Sequence, residues 1–221
     1  MESAIIPSID IIIPVPGADV PMALACLKTL EVNPPSIDFQ IHLLVQEKDV
    51  TSIEDFLVES QCLKIASYVG NLAQAVNIIL LGSNKPYSMF VHPDCLFVNE
   101  QWCDMLLSMM IQQSLGAIST QPFENIELSN NLGIAQCFRG DVIIVQNHLV
   151  KECGGVPSDV PDYAIALGLQ ARMVKNHVPF GGSEISQFIT HMGKCSLDKS
   201  KLSYETRINA ARVFEREYVN N

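Results

Sequence analysis

Hydrophobic positions follow two alternating patterns along residues 1–120. Short aliphatic runs are typical of buried strands, and the longer segments between them repeat apolar residues every three or four positions, as amphipathic helices do. Strands alternating with helices predict parallel β-α-β units in an α/β domain. The predicted strands are 9–13, 39–45, 63–66, 87–91 and 115–119, and the predicted helices are 19–30, 51–61, 72–81 and 99–113.

Several helix ends carry recognisable signals. Asn71 follows Gly70 and can cap the helix that begins at residue 72, and Asn99 and Asp19 can cap two others. The pair Thr51 and Glu54 has the spacing of a capping box. These signals mark the predicted starts of four helices.

The pattern is less regular after residue 120, and it predicts a mixed sheet. We expect one domain over residues 1–200 and a separate C-terminal helix over 201–221, which docks on the domain or forms an interface between two copies of the chain. The individual predictions are a loop over 121–132, strands 134–138 and 142–145 joined as a hairpin through 139–141, a helix over 159–173 capped by Asp159, a turn over 178–182 and a helix over 203–218.

The charge balance narrows the class of partner. There are 24 acidic residues against 14 lysines and arginines, a net charge of −10. Nucleic-acid binding and electrostatic membrane attachment both need a basic surface, so we expect neither. No apolar run approaches the ~18 residues of a membrane span, and the first residues do not resemble a secretory signal. Seven cysteines without a CxxC pair indicate reduced thiols in a cytoplasmic protein.

The strongest chemical candidate follows the predicted strand 87–91. There the chain reads His92-Pro93-Asp94, which sets a carboxylate at the carboxyl end of a strand. Ligands of open α/β sheets bind at that end. A carboxylate there can hold a divalent cation and, through it, a phosphate. Asp94 can equally be a turn-capping residue and His92 an ordinary turn residue, so the motif alone leaves its role open.

The order of several motifs resembles the family-2 glycosyltransferases. The matching elements are Ile11 to Val15, Gly70 to Asn77, Phe90 to Leu96, Trp102, 140–156, Asp162 and His191. The resemblance implies a GT-A fold, which is a Rossmann-like mixed sheet flanked by helices. It also implies a nucleotide-sugar donor, Mn²⁺ or Mg²⁺ as the divalent cation, and inverting transfer of a sugar to an acceptor hydroxyl. The acceptor, whether a glycan, a lipid or a protein, is left open.

The same resemblance implies roles for individual residues. Asp94 and His191 would hold the metal, and Asp162 would be the general base, although it can also be an ordinary first-turn carboxylate. The residues implied in binding the donor and cofactor are Pro14, Val15, Glu47, Asn71, Asn77 and His92. Asp49 is an alternative to Glu47 as the acidic residue after the second strand.

Three departures from the family pattern support a second hypothesis. His92 replaces the first aspartate of the D-x-D turn, and Pro161 replaces an acidic residue before Asp162. The acidic pair that the family has after the second strand is also missing, because residues 45–49 read Val-Gln-Glu-Lys-Asp. The alternative is therefore a GT-A-like protein without catalysis that serves in binding or assembly. A Rossmann dehydrogenase or methyltransferase is disfavoured, because a single glycine, Gly17, follows the first strand in place of the pattern G-x-G-x-x-G.

Overall fold

The computed structural model describes residues 7–15, 20–54, 62–120, 141–162, 165–183, 185 and 187–192, the backbone of 124–127 and 134–137, and Arg212, Glu215 and Arg216. The strands are β1 Ser8–Val15, β2 Asp38–Gln46, β3 Leu63–Tyr68, β4 Tyr87–Val91, β5 Cys95–Phe97, β6 Ala117–Ser119, β7 Glu124–Glu127, β8 Ile134–Cys137, β9 Val142–Gln146, β10 Phe180–Gly182 and β11 Ile189–His191. The helices are α1 Val20–Val32, α2 Val50–Glu54, α3 Leu72–Gly82, α4 Trp102–Gln112, α5 Asn147–Glu152 and α6 Ile165–Lys175.

A seven-stranded sheet with the order β10-β6-β9-β4-β1-β2-β3 forms the centre of the fold. The strand β9 runs antiparallel to both of its neighbours, β4 and β6, and the other pairs in the sheet are parallel. The chain moves outward from β1 to β3 and then returns to the opposite side of β1 with β4. This reversal is the topological switch point at which open α/β sheets bind ligands. The predicted α/β class and mixed sheet are confirmed.

Apolar side chains cover both faces of the sheet. Ile11 and Ile13 of β1 belong to the core that includes Trp102 of α4, whereas Ile12 belongs to the core that includes Val76 of α3. Successive residues of a strand point to opposite faces, so a strand between two helical layers needs an uninterrupted apolar run. This explains the isoleucine run of β1, which is fully buried.

The pairing predicted for residues 134–145 is wrong. β8 pairs with β7, over the residues 124–127 that were expected to form a loop, and not with β9. The reason is that β9 lies between β4 and β6, so both of its edges are already paired. A second ladder, in which β5 and β11 run antiparallel, was not predicted from the sequence.

Some predicted element ends also differ from the structure. Asn99 does not cap α4, which begins at Trp102. The Asn99 side chain instead accepts a hydrogen bond of 2.8 Å from the Gln101 N–H, in the turn before the helix. Thr51 does not cap α2, because a 3₁₀ turn over Glu47–Asp49 leads directly into the helix at Val50. The predicted turn over 178–182 contains the strand β10, which pairs with β6.

Parts of the prediction fall outside the described residues, among them the cap Asp19, the loop residues 128–132 and most of 201–221. Arg212, Glu215 and Arg216 are helical. Arg216 forms an ion pair with Asp159 at 2.7 Å, and Asp159 lies in a turn before α6. Within the described residues, no helix is long and apolar enough to cross a membrane.

Candidate functional site

The turn that contains His92 and Asp94 begins where β4 ends. The backbone N–H of His92 donates to the Asp141 carbonyl at 2.7 Å, and the N–H of Cys95 donates to the His92 carbonyl at 3.1 Å. The second bond closes a four-residue turn, in which Pro93 occupies the second position that its fixed φ favours. The chain enters β5 immediately afterwards, and the Asp94 side chain is only 5% exposed.

His191 reaches this turn through the ladder of β5 and β11. Cys95 is directly opposite His191 in that ladder, and the N–H of Met192 donates to the Asp94 carbonyl at 3.0 Å. The imidazole Nε2 of His191 consequently lies 2.8 Å from Asp94 Oδ1. A short antiparallel ladder therefore brings the late histidine to the switch point.

Two imidazoles converge on one carboxylate oxygen in this arrangement. His92 Nδ1 lies 2.6 Å from Asp94 Oδ1, and the rings of His92 and His191 are nearly perpendicular, at 79°. The three potential ligand atoms lie within 4.8 Å of one another. We call His92, Asp94 and His191 the His-Asp-His cluster. Asp141 adjoins it, with Oδ1 3.6 Å from His191 Nε2.

The charge state of Asp94 suits metal binding. Burial disfavours its ionised form, but the hydrogen bonds and charges of His191 and His92 outweigh burial and hold the pKa of Asp94 well below its ordinary value. The carboxylate is therefore ionised at neutral pH. One anionic oxygen and two imidazole nitrogens are donors that divalent ions accept. The cluster therefore fits a divalent cation, and the partly exposed His92 leaves it open to solvent on one side.

Asp162 occupies a separate part of the same edge. Its carboxylate accepts a hydrogen bond from the backbone N–H of Leu72, the first residue of α3. Desolvation raises the pKa of Asp162, and the bond from Leu72 opposes that shift only in part. A raised pKa brings a carboxylate closer to the range of a general base. The charge of Asp162 also acts on Tyr68, at the carboxyl end of β3.

Two acidic residues, Glu47 and Asp49, follow the end of β2. Glu47 is exposed, whereas Oδ2 of Asp49 is buried without a hydrogen-bond partner among the described residues. Tyr68 is hydrogen-bonded to the Gln46 side chain. Burial raises the pKa of Tyr68, and the charges of Asp162 and Asp49 raise it further. Because a buried carboxylate oxygen without a partner is costly, Asp49 is better placed than Glu47 to receive a donor group of a ligand.

The side chains of Asn71 and Asn77 make contacts within the protein. Asn71 caps α3, with Oδ1 accepting from the Gln74 N–H at 3.1 Å, and its amide donates to the Ser158 carbonyl. Asn77 donates to the Val156 carbonyl at 2.7 Å and accepts from the Val156 N–H at 2.8 Å. The two asparagines therefore fasten the segment that leads to Asp162 onto α3.

Pro14 and Val15 lie at the carboxyl end of β1, beside the switch point. Both residues are buried, and the Val15 side chain belongs to the core that includes Trp102. Asp141 and Tyr68 were not among the candidates from the sequence. No local pattern indicates that Asp141 lies near Asp94. Their proximity follows from the antiparallel entry of β9, which places Val142 opposite Val91.

Comparison with known proteins relates this chain to others through its fold. No protein-family model matches the sequence, and no curated protein sequence does. Among solved structures, the mannosyltransferase PcManGT from Pyrobaculum calidifontis, in complex with GDP-Man and Mn²⁺, matches with a TM-score of 0.61 and 10% identity. S. aureus TarS 1-349 in complex with UDP-GlcNAc matches with a TM-score of 0.61 and 12% identity. The complex of TarS 1-349 with UDP matches with a TM-score of 0.60 and 12% identity.

These matches cover most of this chain but a smaller share of the other proteins. They span 90% of this chain and 60% of PcManGT, and 95% of this chain and 66% of TarS 1-349 with UDP-GlcNAc. At such identities the likeness shows the fold alone. The chain has the GT-A glycosyltransferase fold, as the order of its sequence motifs predicts.

Proposed function

We propose that this chain transfers a sugar from a nucleotide-sugar donor to an acceptor hydroxyl, with a divalent cation at the His-Asp-His cluster. The observation that carries the proposal is the convergence of Asp94, His92 and His191 at the switch point of a GT-A fold. Proteins with the same fold are solved with GDP-Man and Mn²⁺ and with UDP-GlcNAc. The proposal extends those ligand classes to this chain.

Asp94 and His191 would hold Mn²⁺ or Mg²⁺, and His92 would contact the ion or the donor phosphates. When bound, the cation neutralises the charge that develops on the leaving diphosphate. Asp94 contributes an ionised oxygen that burial and the two imidazoles hold in one place. The Asn71 and Asn77 side chains would support the site by fastening the segment before Asp162, and Pro14 and Val15 would form the floor beside it.

Asp162 is the proposed general base. It would accept the proton of the acceptor hydroxyl as that oxygen attacks the anomeric carbon, and the nucleoside diphosphate would leave on the opposite face. Attack opposite the leaving group inverts the anomeric centre. Two features support this role: the raised pKa of Asp162, and its attachment to the rigid amino end of α3. General-base catalysis by a placed side chain contributes about 10²–10⁴-fold in rate.

The nucleotide base would be recognised at the ends of β2 and β3. The buried, unpaired Oδ2 of Asp49 can accept an N–H from a base or a hydroxyl from a ribose. Glu47, which is exposed at the start of the same turn, is the second acidic candidate. Three further points stay predictions from the sequence. These are an acceptor that is a glycan, a lipid or a protein, a cytoplasmic location, and a homo-oligomeric state.

One observation favours the alternative of a catalytically inactive binding or assembly protein. The side chains of Asn71 and Asn77, which the family resemblance assigns to donor binding, are hydrogen-bonded within the protein instead. Hydrolysis and transfer with a panel of nucleotide sugars in Mn²⁺ would decide between the two. Release of a nucleoside diphosphate supports the enzyme, whereas nucleotide binding without turnover of any donor supports the binding protein.

A further inference from the structure

We propose that the His-Asp-His cluster selects a first-row transition ion, such as Mn²⁺, Fe²⁺, Co²⁺ or Zn²⁺, over Mg²⁺ and Ca²⁺. This inference rests on the proposed function, because it names the class of ion for the same site. It narrows the Mn²⁺-or-Mg²⁺ alternative that the family resemblance leaves open. The determining residue is His92, which supplies nitrogen where a second carboxylate would supply oxygen.

The donor set is the first argument. The cluster offers two imidazole nitrogens and one carboxylate oxygen. Mg²⁺ and Ca²⁺ are hard cations that take oxygen ligands, and Mg²⁺ keeps most of its waters in proteins. Imidazole nitrogen suits ions such as Fe²⁺ and Zn²⁺ better than it suits Mg²⁺ and Ca²⁺, and two histidines with one carboxylate on one face of an ion form a known transition-metal arrangement with open positions. Those open positions would be available to phosphate oxygens of a donor.

The spacing of the ligand atoms is the second argument. The nitrogens of His92 and His191 lie 2.6 and 2.8 Å from the same Asp94 oxygen. Adjacent ligands of an ion bound at about 2.1 Å lie about 3 Å from each other, so the entry of an ion needs only a small opening of the cluster. The perpendicular rings also point their nitrogens at the carboxylate from two directions, as ligands on one face of an ion do.

The surroundings hold Asp94 and His191 more firmly than His92. The Asp94 side chain is 5% exposed and His191 is 25% exposed, whereas the His92 side chain is 44% exposed. Replacing His92 therefore disturbs little packing. Asp141, 3.6 Å from His191, can orient that imidazole or add an oxygen ligand, and a variant at residue 92 keeps the Asp141 carboxylate in the site. The identity of residue 92 thus sets the balance of nitrogen and oxygen in the site.

The experiment measures metal binding without any nucleotide or turnover. Calorimetric titrations of Mn²⁺, Co²⁺ and Mg²⁺ into the whole chain give the affinities, and the visible absorption of bound Co²⁺ reports its coordination geometry and ligand field, which change when a nitrogen ligand is replaced. We expect the wild-type affinity for Co²⁺ to exceed that for Mg²⁺ by at least about tenfold, and the affinity for Mn²⁺, the weakest binder of the first-row series, to lie between them. The variant His92→Asp should reduce this preference by about tenfold or more and change the Co²⁺ spectrum. His148→Gln, an exposed histidine on α5, is the matched control and should behave as wild type.

A second variant, His92→Gln, keeps a neutral side chain of similar length and removes the nitrogen ligand. It should weaken Co²⁺ binding by about 100-fold, and it serves as the test if His92→Asp does not fold. Equal wild-type affinity for Mg²⁺ and Co²⁺, or an unchanged preference in both variants, would overturn the inference.

Titration of UDP and GDP in the presence of each ion separates this inference from the proposed function. If Co²⁺ binds selectively but no nucleotide binds, the ion selectivity stands and the sugar-transfer proposal fails. If nucleotides bind at the site but the chain alone binds Mg²⁺ and Co²⁺ with equal affinity, nucleotide binding stands and the selectivity fails.

Discussion

Asp94 and His191 come from distant parts of the sequence, yet Oδ1 of the first lies 2.8 Å from Nε2 of the second. The ladder of β5 and β11 produces this relationship, because Cys95, the neighbour of Asp94, is paired with His191. The same contact lowers the pKa of Asp94 and places a nitrogen ligand beside its carboxylate. The prediction of metal-dependent nucleotide binding that follows depends on this geometry.

Asp94→Asn should remove metal-dependent nucleotide binding while the chain stays folded, because the amide cannot supply the anionic oxygen. For wild type, a nucleoside diphosphate with Mn²⁺ at 100 times its Kd should stabilise the fold by about 2.7 kcal/mol. For a chain of this size that is a rise in Tm of about 5–10 °C. Thermal unfolding of the variant should show no rise, and Glu100→Gln, an exposed neighbour, should match wild type. A full rise in Asp94→Asn would exclude Asp94 from the site.

Asp162→Asn should keep nucleotide binding and lose sugar transfer by about 10²–10⁴-fold, because an amide cannot accept the acceptor proton. The measurement is transfer rate together with nucleotide affinity. Asp159→Asn is a close control, since Asp159 is an exposed carboxylate in the same segment and pairs with Arg216. Equal loss in both variants would indicate damage to the segment, and wild-type turnover in Asp162→Asn would reject it as the base.

Asn77 and Gly155 should be energetically coupled. Gly155 has φ +72°, and a Cβ added there would lie 2.4 Å from Asn77 Oδ1. Asn77→Ala removes two hydrogen bonds to Val156 and should cost about 1–3 kcal/mol. Gly155→Ala adds both the clash and backbone strain. The double variant relieves the clash, so urea unfolding should give a double-mutant loss smaller than the sum of the single losses. Strict additivity would argue against the contact.

Asp10 should make the fold sensitive to acid. It is buried at the edge opposite the candidate site, where it contacts His42 at 3.1 Å, Ser83 at 2.6 Å and Lys85 at 3.5 Å. Burial opposes the ionisation of Asp10. Two hydrogen bonds, from His42 and Ser83, and the charges of His42 and Lys85 outweigh burial, so the pKa of Asp10 is lowered. The pKa of Asp10 is lower in the folded state than in the unfolded state. At pH values between these two pKa values, the unfolded state therefore binds more protons. Stability from Asp10 is therefore full above the unfolded pKa and is lost as pH falls through the folded pKa.

The variant Asp10→Asn tests this linkage. At neutral pH it should lower the free energy of unfolding by about 2 kcal/mol, because a charged hydrogen-bond acceptor is removed from a buried network. The difference from wild type should shrink as pH falls below about 4. Urea unfolding between neutral pH and acid measures it, and a constant difference at every pH would contradict the proposed ionised state of Asp10.

Much of the sheet could be predicted because its signals are local. The isoleucine run of β1 and the Gly70-Asn71 start of α3 are each determined by periodicity or capping within a few residues. The order of motifs also gave the GT-A fold and directed attention to Asp94 and His191. These predictions needed no knowledge of which strand lies beside which.

The rest depends on pairing between distant segments. The insertion of β9 between β4 and β6 sets the position of Asp141, and the β5–β11 ladder sets that of His191. The strands β5, β6 and β11 have three residues each, which is too few to show a period of two. Burial also separates residues that look alike in the sequence: Glu47 is exposed, whereas Asp49 has a buried oxygen without a partner among the described residues.

The most direct test of sugar-nucleotide chemistry at the His-Asp-His cluster is a calorimetric titration of UDP and GDP into the chain, with Mn²⁺ and with chelator. We expect binding of at least one nucleotide that is about tenfold or more tighter with Mn²⁺, and loss of that metal dependence in Asp94→Asn. Absence of nucleotide binding under both conditions, or identical affinity with Mn²⁺ and with chelator, would contradict the account.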